Sequence, residues 1–393
     1  MSLHAGWHFK MNRFLGPAAL CALGIGLVMV LAPGIASAKR IVVRPGDSIQ
    51  EAVDAASAGD KIIVRPGTYM ETHGASVAVR IKKDGIRLIG KSKRGRKAIL
   101  VPGPGNRHGI LVEPEHGQPD IQGSRIQGMT VEGFDGNGIK LEHVNRFKII
   151  GNESINNLEN GIQPELSANG LVKNNISYGS NDSALWIEGG TNVRVIGNIT
   201  HSSVTGLEVT ISNNLVIEDN ESYNNTIGMG LYHPSSASEP ALAVMGDWKI
   251  EDNYIHDNNR PNTAPPGSAA STLPPGGGIL LMGVSGNELE GNLIENNEFF
   301  GLTVIDFCIG VEGVPAPCAS NWSGADTVPR NNEIEGNTFI NNGTNPVPWH
   351  PFAPLAADII EAVLDPTAGN CFEDNSYSTY ASLVGAPAPQ QCP

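Results

Sequence analysis

Between Ser124 and Pro234 the apolar residues come in short bursts on alternate positions: Phe147 and Ile149, Val193 and Val195, Leu215 and Ile217. Alternation with a period of two marks a strand with one face buried. No part of this stretch sustains the i, i+3, i+4, i+7 spacing of a helix. Each burst runs into a Gly-Asn or Asn-Asn pair, and a strand of the form Gly-apolar-x-apolar follows. The corner asparagines are Asn152, Asn175, Asn198 and Asn220, with Met129 in the equivalent slot one unit earlier. Their separations are 23, 23, 23 and 22 residues. The second strands start at Gly138, Gly161, Ala184, Gly206 and Gly228. A unit this short cannot bury its own apolar face and does so by stacking on the next. About three strands and three bends fill such a unit, which is one turn of a parallel β-helix. Asparagine suits the corner because it tolerates left-handed backbone and its amide bonds to the copy in the next coil.

The chain resembles the exported right-handed parallel β-helix proteins of the pectin-lyase-like superfamily. The resemblance rests on these repeats and on the opening VRPGDSIQEAVDAASAGDKIIVRPGTYME, and it extends over nearly all of the chain after the leader. It implies an all-β solenoid with short helical caps. It leaves activity open among polysaccharide lyases, glycoside hydrolases, epimerases, esterases and members without catalysis. The motifs of the polygalacturonase-like members are absent apart from an isolated Arg80-Ile81-Lys82. The middle coils lack the aspartates and arginine of the pectate-lyase-like members. Leu231–Ser236, LYHPSS, shares only a tyrosine, a histidine and a proline with the mannuronan-epimerase motif.

Residues 1–38 read as a secretory signal: Lys10 and Arg13 precede an apolar run, and Ala36-Ser37-Ala38 is a small-residue cleavage site. Met11 is an alternative start. Pro17, Gly24, Gly26 and Pro33 argue against a membrane anchor. The expected location is secreted or periplasmic, with no stable membrane insertion. Residues 39–393 form one domain: a cap strand and helix over 39–60, coils over 61–342, and a C-terminal cap over 343–393 that includes a helix from about Pro354 to Leu364. Ser48 and Glu51 fit a capping box for the first helix, and Gly59 ends it.

After Asn220 the corners at Asn253, Asn292 and Asn337 are 33, 39 and 45 residues apart. The additional residues make three loops, Tyr232–Asp247, His256–Gly277 and Phe307–Arg330. Insertions in successive coils of a solenoid build up one functional face. After the leader is removed, 24 basic and 40 acidic residues leave a formal charge of −16. That charge excludes nucleic acid and anionic membranes as partners. The four cysteines outside the leader, Cys308, Cys318, Cys371 and Cys392, suit two disulfides in an exported chain. Proximity favours Cys308–Cys318 and Cys371–Cys392.

Stacking places equivalent outward residues in columns about 4.8 Å apart. In the second strands one column is Lys140, Gln163, Trp186, Glu208, Gly230, Leu280, Thr303. The next is Glu142, Glu165, Glu188, Thr210, Tyr232, Met282, Ile305, and His143, His233 and Asp306 fall in the position after it. Three neighbouring glutamates repel unless solvent screens them or positive charge lies between them. They read as a solvated acidic face, as a calcium site of Glu142, Glu165 and Glu188, or as acid–base chemistry involving Glu165, Glu188 and Glu208. Trp186 reads as a sugar-stacking indole or as packing under a loop. His233 with Tyr232 is a candidate base and acid. Lys140, Gln163 and Asp306 complete the candidate substrate-binding set. The function expected from these residues is a monomeric protein that binds or processes a carbohydrate polymer. The alternative is a non-catalytic scaffold whose loops bind a protein partner.

Overall fold

A computed structural model describes residues 38–232, 246–312 and 327–393. The leader, His233, Cys318 and most of the loops Tyr232–Asp247 and Phe307–Arg330 lie outside the described residues. Among the described residues the strands form three parallel sheets of 14, 10 and 11 strands, which the chain visits in turn on each coil. Strands one coil apart pair in parallel and in register. In the first sheet Ile126, Ile149, Val172, Val195, Ile217 and Ile250 align. In the third, Ile139, Ile162, Leu185, Leu207, Met229, Ile279, Leu302 and Ile359 align. These aligned side chains are buried and fill the bore.

The corners divide their work between two residues. Left-handed backbone falls on the residue before each corner asparagine: Gly151, Asn174, Gly197, Asp219, Asp252, Gly291 and Gly336, all with φ between 54° and 64°. The asparagine that follows keeps ordinary backbone and turns its amide inward. Asn198 Oδ1 accepts from the backbone N–H of Asn175 at 3.0 Å and from its Nδ2 at 2.9 Å. Asn198 Nδ2 donates to Val172 O and to Asn220 Oδ1. The same bonds run unbroken from Met129 to Asn375. A second ladder, five residues further on in each coil, runs through Ser203, Asn225, Asn258, Asn297 and Asn342 and ends on Asp358. The left-handed residue thus reverses the chain, and the next side chain replaces the backbone partner lost at the bend.

At the N-terminus the helix Ile49–Ala55 covers the first coil. Ser48 Oγ accepts from the Glu51 N–H at 3.0 Å. The reciprocal part of the expected capping box is played by buried Glu71, which accepts from Ser48 Oγ and the Ile49 N–H. The helix expected from Pro354 to Leu364 is absent. A 3-10 turn, Ala353–Leu355, leads into the strand Ala357–Ala362, which pairs with Phe300–Ile305 in the third sheet. Ala357, Ile359 and Val363 turn into buried surroundings, and the neighbouring open edge supplies hydrogen-bond partners that local helix propensity cannot outweigh. Strands Cys371–Glu373 and Tyr380–Ser382 follow, so the coils continue past residue 342. The tail is fastened to this coil by the Cys371–Cys392 disulfide, with Cα atoms 4.7 Å apart.

Replacing Asn220 by alanine removes the side-chain acceptor of the buried Asn198 N–H and the side-chain donor to Val195 O and Asn253 Oδ1. Asn220→Ala is expected to lower unfolding stability by about 3 kcal/mol, taking roughly 1–3 kcal/mol for each stranded group. Asn192→Gly, which keeps the left-handed backbone at φ 55° and removes one amide from the exposed ladder Asn145–Asn169–Asn192–Asn214, should cost under about 0.5 kcal/mol. Equal losses in urea titrations would contradict this division between buried and exposed ladders.

Candidate functional site

The outer face of the third sheet changes character along the solenoid because its outward positions are free of the bore's packing demands. The register expected from sequence is present: Lys140 stands beside Gln163, Glu142 beside Glu165, Glu165 beside Glu188, and Trp186 beside Glu208. Further along, Tyr232 stands beside Met282, Leu280 beside Thr303, and Thr303 beside Ile360. The early coils therefore show charge on this face and the late coils show hydrocarbon.

Lys140 places an ammonium within the glutamate column. It forms an ion pair with Glu165 and lies 3.6 Å from Glu142. Burial works against its charge, but the hydrogen bond and charge of Glu165, with Glu142 and Glu188 beyond, outweigh burial and raise its pKa. Gln163, buried, links Asn137 to Glu188: its Oε1 accepts from Asn137 Nδ2 at 3.0 Å, and its Nε2 donates to Glu188 Oε2 at 2.7 Å. These six side chains form an ion-paired set, Lys140 with Glu142 and Glu165, beside a hydrogen-bonded set, Gln163 with Asn137 and Glu188. No group of three or more metal-binding side chains occurs among the described residues. The three glutamates do not fit a calcium ion, because Lys140 takes the place where positive charge is needed.

A cleft of about 410 Å³ lies over the later coils of the same face. Its floor is Leu280, Met282, Phe300, Thr303, Ile305, Ile360 and Ala362. Its walls come from 268–274 and from His350, Phe352 and Leu355. The floor and much of the wall belong to an apolar cluster outside the bore, separate from the main core. The His256–Gly277 loop thus supplies a wall, through its 3-10 turn Ala269–Thr272. The segment before Ala357, expected to be part of a helical cap, supplies the other. His350 packs edge-on against Phe299, and burial lowers its pKa, so the imidazole is neutral near pH 7.

The polar end of the cleft holds Asp182, Trp186, Glu208 and Tyr232. Trp186 is pinned along the face, its Nε1 donating to Thr210 Oγ1 at 2.9 Å. Glu208 accepts from Ser183 Oγ, which draws its carboxylate towards the preceding coil. The Tyr232 ring folds back over Gly230, where an added Cβ would lie 2.2 Å from the phenol oxygen. The phenol is fully buried. Burial first, then the negative charge of Glu208, raises its pKa well above 10, so it stays protonated. Asp182 is pushed up to about 6, by burial and then by the charge of Glu159.

Of the residues singled out from sequence, Glu208, Trp186 and Tyr232 meet at the cleft. Lys140, Glu142, Gln163, Glu165 and Glu188 belong to the two polar sets of the earlier coils. Asp306 accepts from the Cys308 N–H at 2.9 Å and caps the short helix Phe307–Glu312. Cys308 is disulfide-bonded; its expected partner, Cys318, lies outside the described residues. Sequence reasoning missed Asp182, which sits in the turn just before its strand and so outside the counted columns. It also missed the aromatic walls, which come from distant segments.

Calcium up to millimolar concentration is expected to give no saturable heat in calorimetry; a saturable signal abolished by Glu165→Gln would restore the metal site. Gly230→Ala should keep the β-sheet circular dichroism of the parent but displace the Tyr232 ring, read as a changed near-ultraviolet spectrum. An unchanged spectrum would show that the ring does not lie over Gly230.

The family model for the right handed beta helix region matches residues 108–239 and 235–379. The A-module of the mannuronan C-5 epimerase AlgE4 from Azotobacter vinelandii is similar at TM-score 0.56 and 16% identity, covering 87% of this chain and 94% of its own. DFA-IIIase from Arthrobacter chlorophenolicus A6 without its lid gives 0.55 and 13%, covering 85% and 82%. A mutant of that enzyme in complex with DFA-III gives 0.53 and 14%, covering 86% and 81%. No curated protein matches the sequence. At these identities the likeness establishes the fold alone.

Proposed function

The chain belongs to the right-handed parallel β-helix family, and from that premise we propose that it is an exported enzyme that processes an uncharged glycan on the outer face of its third sheet. The observation that carries this reading is the pair of unlike carboxyl groups at the polar end of an aromatic-lined cleft. Asp182, raised to about 6 by burial, holds a proton near neutral pH better than an ordinary carboxyl. Glu208, in the strand one coil further on, accepts a hydroxyl hydrogen bond from Ser183. Two carboxyl groups whose surroundings push them apart are the requirement for acid and base at one centre. Asp182 donates a proton to the leaving oxygen, and Glu208 stabilises positive charge or activates water, with the protonated Tyr232 phenol buried beside them. The Trp186 indole offers a face to a sugar ring.

Charge restricts the substrate. No lysine or arginine lines the cleft among the described residues, so a uronate carboxylate would meet acidic groups without compensation. A neutral polysaccharide or oligosaccharide avoids that cost. Fold-level analogy supports a carbohydrate, since a mannuronan epimerase and DFA-IIIase are built on similar solenoids. The Cys371–Cys392 disulfide supports an oxidising compartment. No helix among the described residues is long and apolar enough to cross a membrane.

Screening neutral glycans for cleavage should find activity that Asp182→Asn and Glu208→Gln each reduce by about 100-fold or more. Because Asp182 acts protonated, the rate should fall as pH rises through about 6. The raised pKa also has a stability consequence. The ionised carboxyl is disfavoured in the fold, so Asp182 costs stability as pH rises from its unfolded value, near 3.8, through about 6. Asp182→Asn should therefore melt higher than wild type at pH 8 and equal it at pH 3. An unaffected rate in both variants would remove Asp182 and Glu208 from the chemistry.

A further inference from the structure

The cleft is too apolar for a sugar alone. Beyond its polar end it is floored by Leu280, Met282, Phe300, Ile305 and Ile360 and walled by Leu273, Phe352 and Leu355. Its volume, about 410 Å³, is more than twice the roughly 150 Å³ of a dry cavity that takes up benzene. A glycan's hydroxyl groups would lose their water partners against such a surface. Ser268, Thr272 and His350 stand in the walls, and one polar side chain, Thr303, interrupts the hydrocarbon of the floor. Thr303 Oγ1 is buried on the cleft floor without a hydrogen-bond partner. Its place in the outward column lies between Leu280 and Ile360, and the column leads back along the sheet through Gly230 to Glu208 and Trp186.

We propose that this chamber receives an acyl chain carried by the glycan, with the acyl carbonyl accepting a hydrogen bond from Thr303. The proposal rests on the reading of the polar end as the glycan site and adds the substrate class: a neutral, acyl-substituted saccharide. Hydrocarbon fills the chamber, the carbonyl satisfies the one unpaired hydroxyl on the floor, and the sugar remains on Trp186 beside Asp182 and Glu208. Acidic side chains at the polar end disfavour a free fatty acid whose carboxylate sits against them.

The test is calorimetric binding of N-acyl glucosamines from acetyl to decanoyl to the intact chain, with octyl glucoside and octanamide as controls. Affinity is expected to rise about fourfold per methylene until the chamber is full, the factor that corresponds to about 0.8 kcal/mol for each buried CH₂. Thr303→Val should weaken N-octanoyl glucosamine by about five- to tenfold and leave octyl glucoside, which lacks the carbonyl, unchanged. The wild-type series needs no variant to fold. If the acetyl and octanoyl sugars bind equally, the chamber takes no acyl chain, and the glycan reading stands or falls on the cleavage screen. If octanamide binds as tightly as N-octanoyl glucosamine, the sugar contributes nothing, and the link between chamber and glycan is overturned. If Thr303→Val weakens both octyl ligands alike, the carbonyl contact is wrong.

Discussion

Every coil of this solenoid has to turn the backbone without leaving a buried amide unpaired, and the stacked asparagine amides meet that requirement. A bend breaks the inter-strand ladder for one residue. The Oδ1 of an asparagine one coil further on takes up the released N–H, and its Nδ2 returns to a main-chain carbonyl at the bend. Two such columns run beside the bore, offset by five residues, and the second ends on Asp358, whose other oxygen accepts from Ser378 and Thr379. The dependence is mutual: a corner is satisfied only when the next coil is in place. The structure is therefore cooperative along its length, although each coil pairs its strands only with those of its neighbours.

That arrangement separates the tasks of the two faces. Inward residues must fit one another across every coil, so they are predominantly aliphatic, with a few aromatic rings such as Phe147 and Trp248. Outward residues on the third sheet face one another and whatever packs over them. The face can thus carry a lysine–glutamate network in the early coils and an apolar chamber in the late ones without disturbing the register. The boundary between these two surfaces is where Asp182, Glu208 and Tyr232 meet. Low polarity on one side shifts Asp182 and Tyr232 upward, and the hydroxyl of Ser183 donates to Glu208. Chemistry of the acid–base kind needs such a boundary, because a uniformly wet face would leave the two carboxyl groups alike.

The lysine–glutamate network illustrates how spacing can mislead when side chains are not yet placed. A column of Glu142, Glu165 and Glu188 spaced at the strand repeat has the composition of a cation site. The register is as the sequence implies, yet Lys140 from the adjacent column bends across to Glu165, and Gln163 reaches Glu188. Long side chains span more than one strand spacing, so neighbouring columns neutralise each other diagonally as well as directly.

The periodicity alone determined the solenoid, its sheets, its register and the identity of the corner asparagines, because a repeat written into spacing is independent of how distant segments meet. It also placed Glu208, Trp186 and Tyr232 on one outward face, since strand alternation decides which way a side chain points. Only the tertiary structure decided that the segment from Ala357 to Ala362 is a strand. Its local pattern favours a helix, and the open edge of the third sheet overrules it. Only the tertiary structure brought Leu273, His350 and Phe352 over that face and Asp182 to its end. These residues come from turns and insertions outside the repeat, where position depends on packing against the stack, and one-dimensional spacing carries no record of that packing.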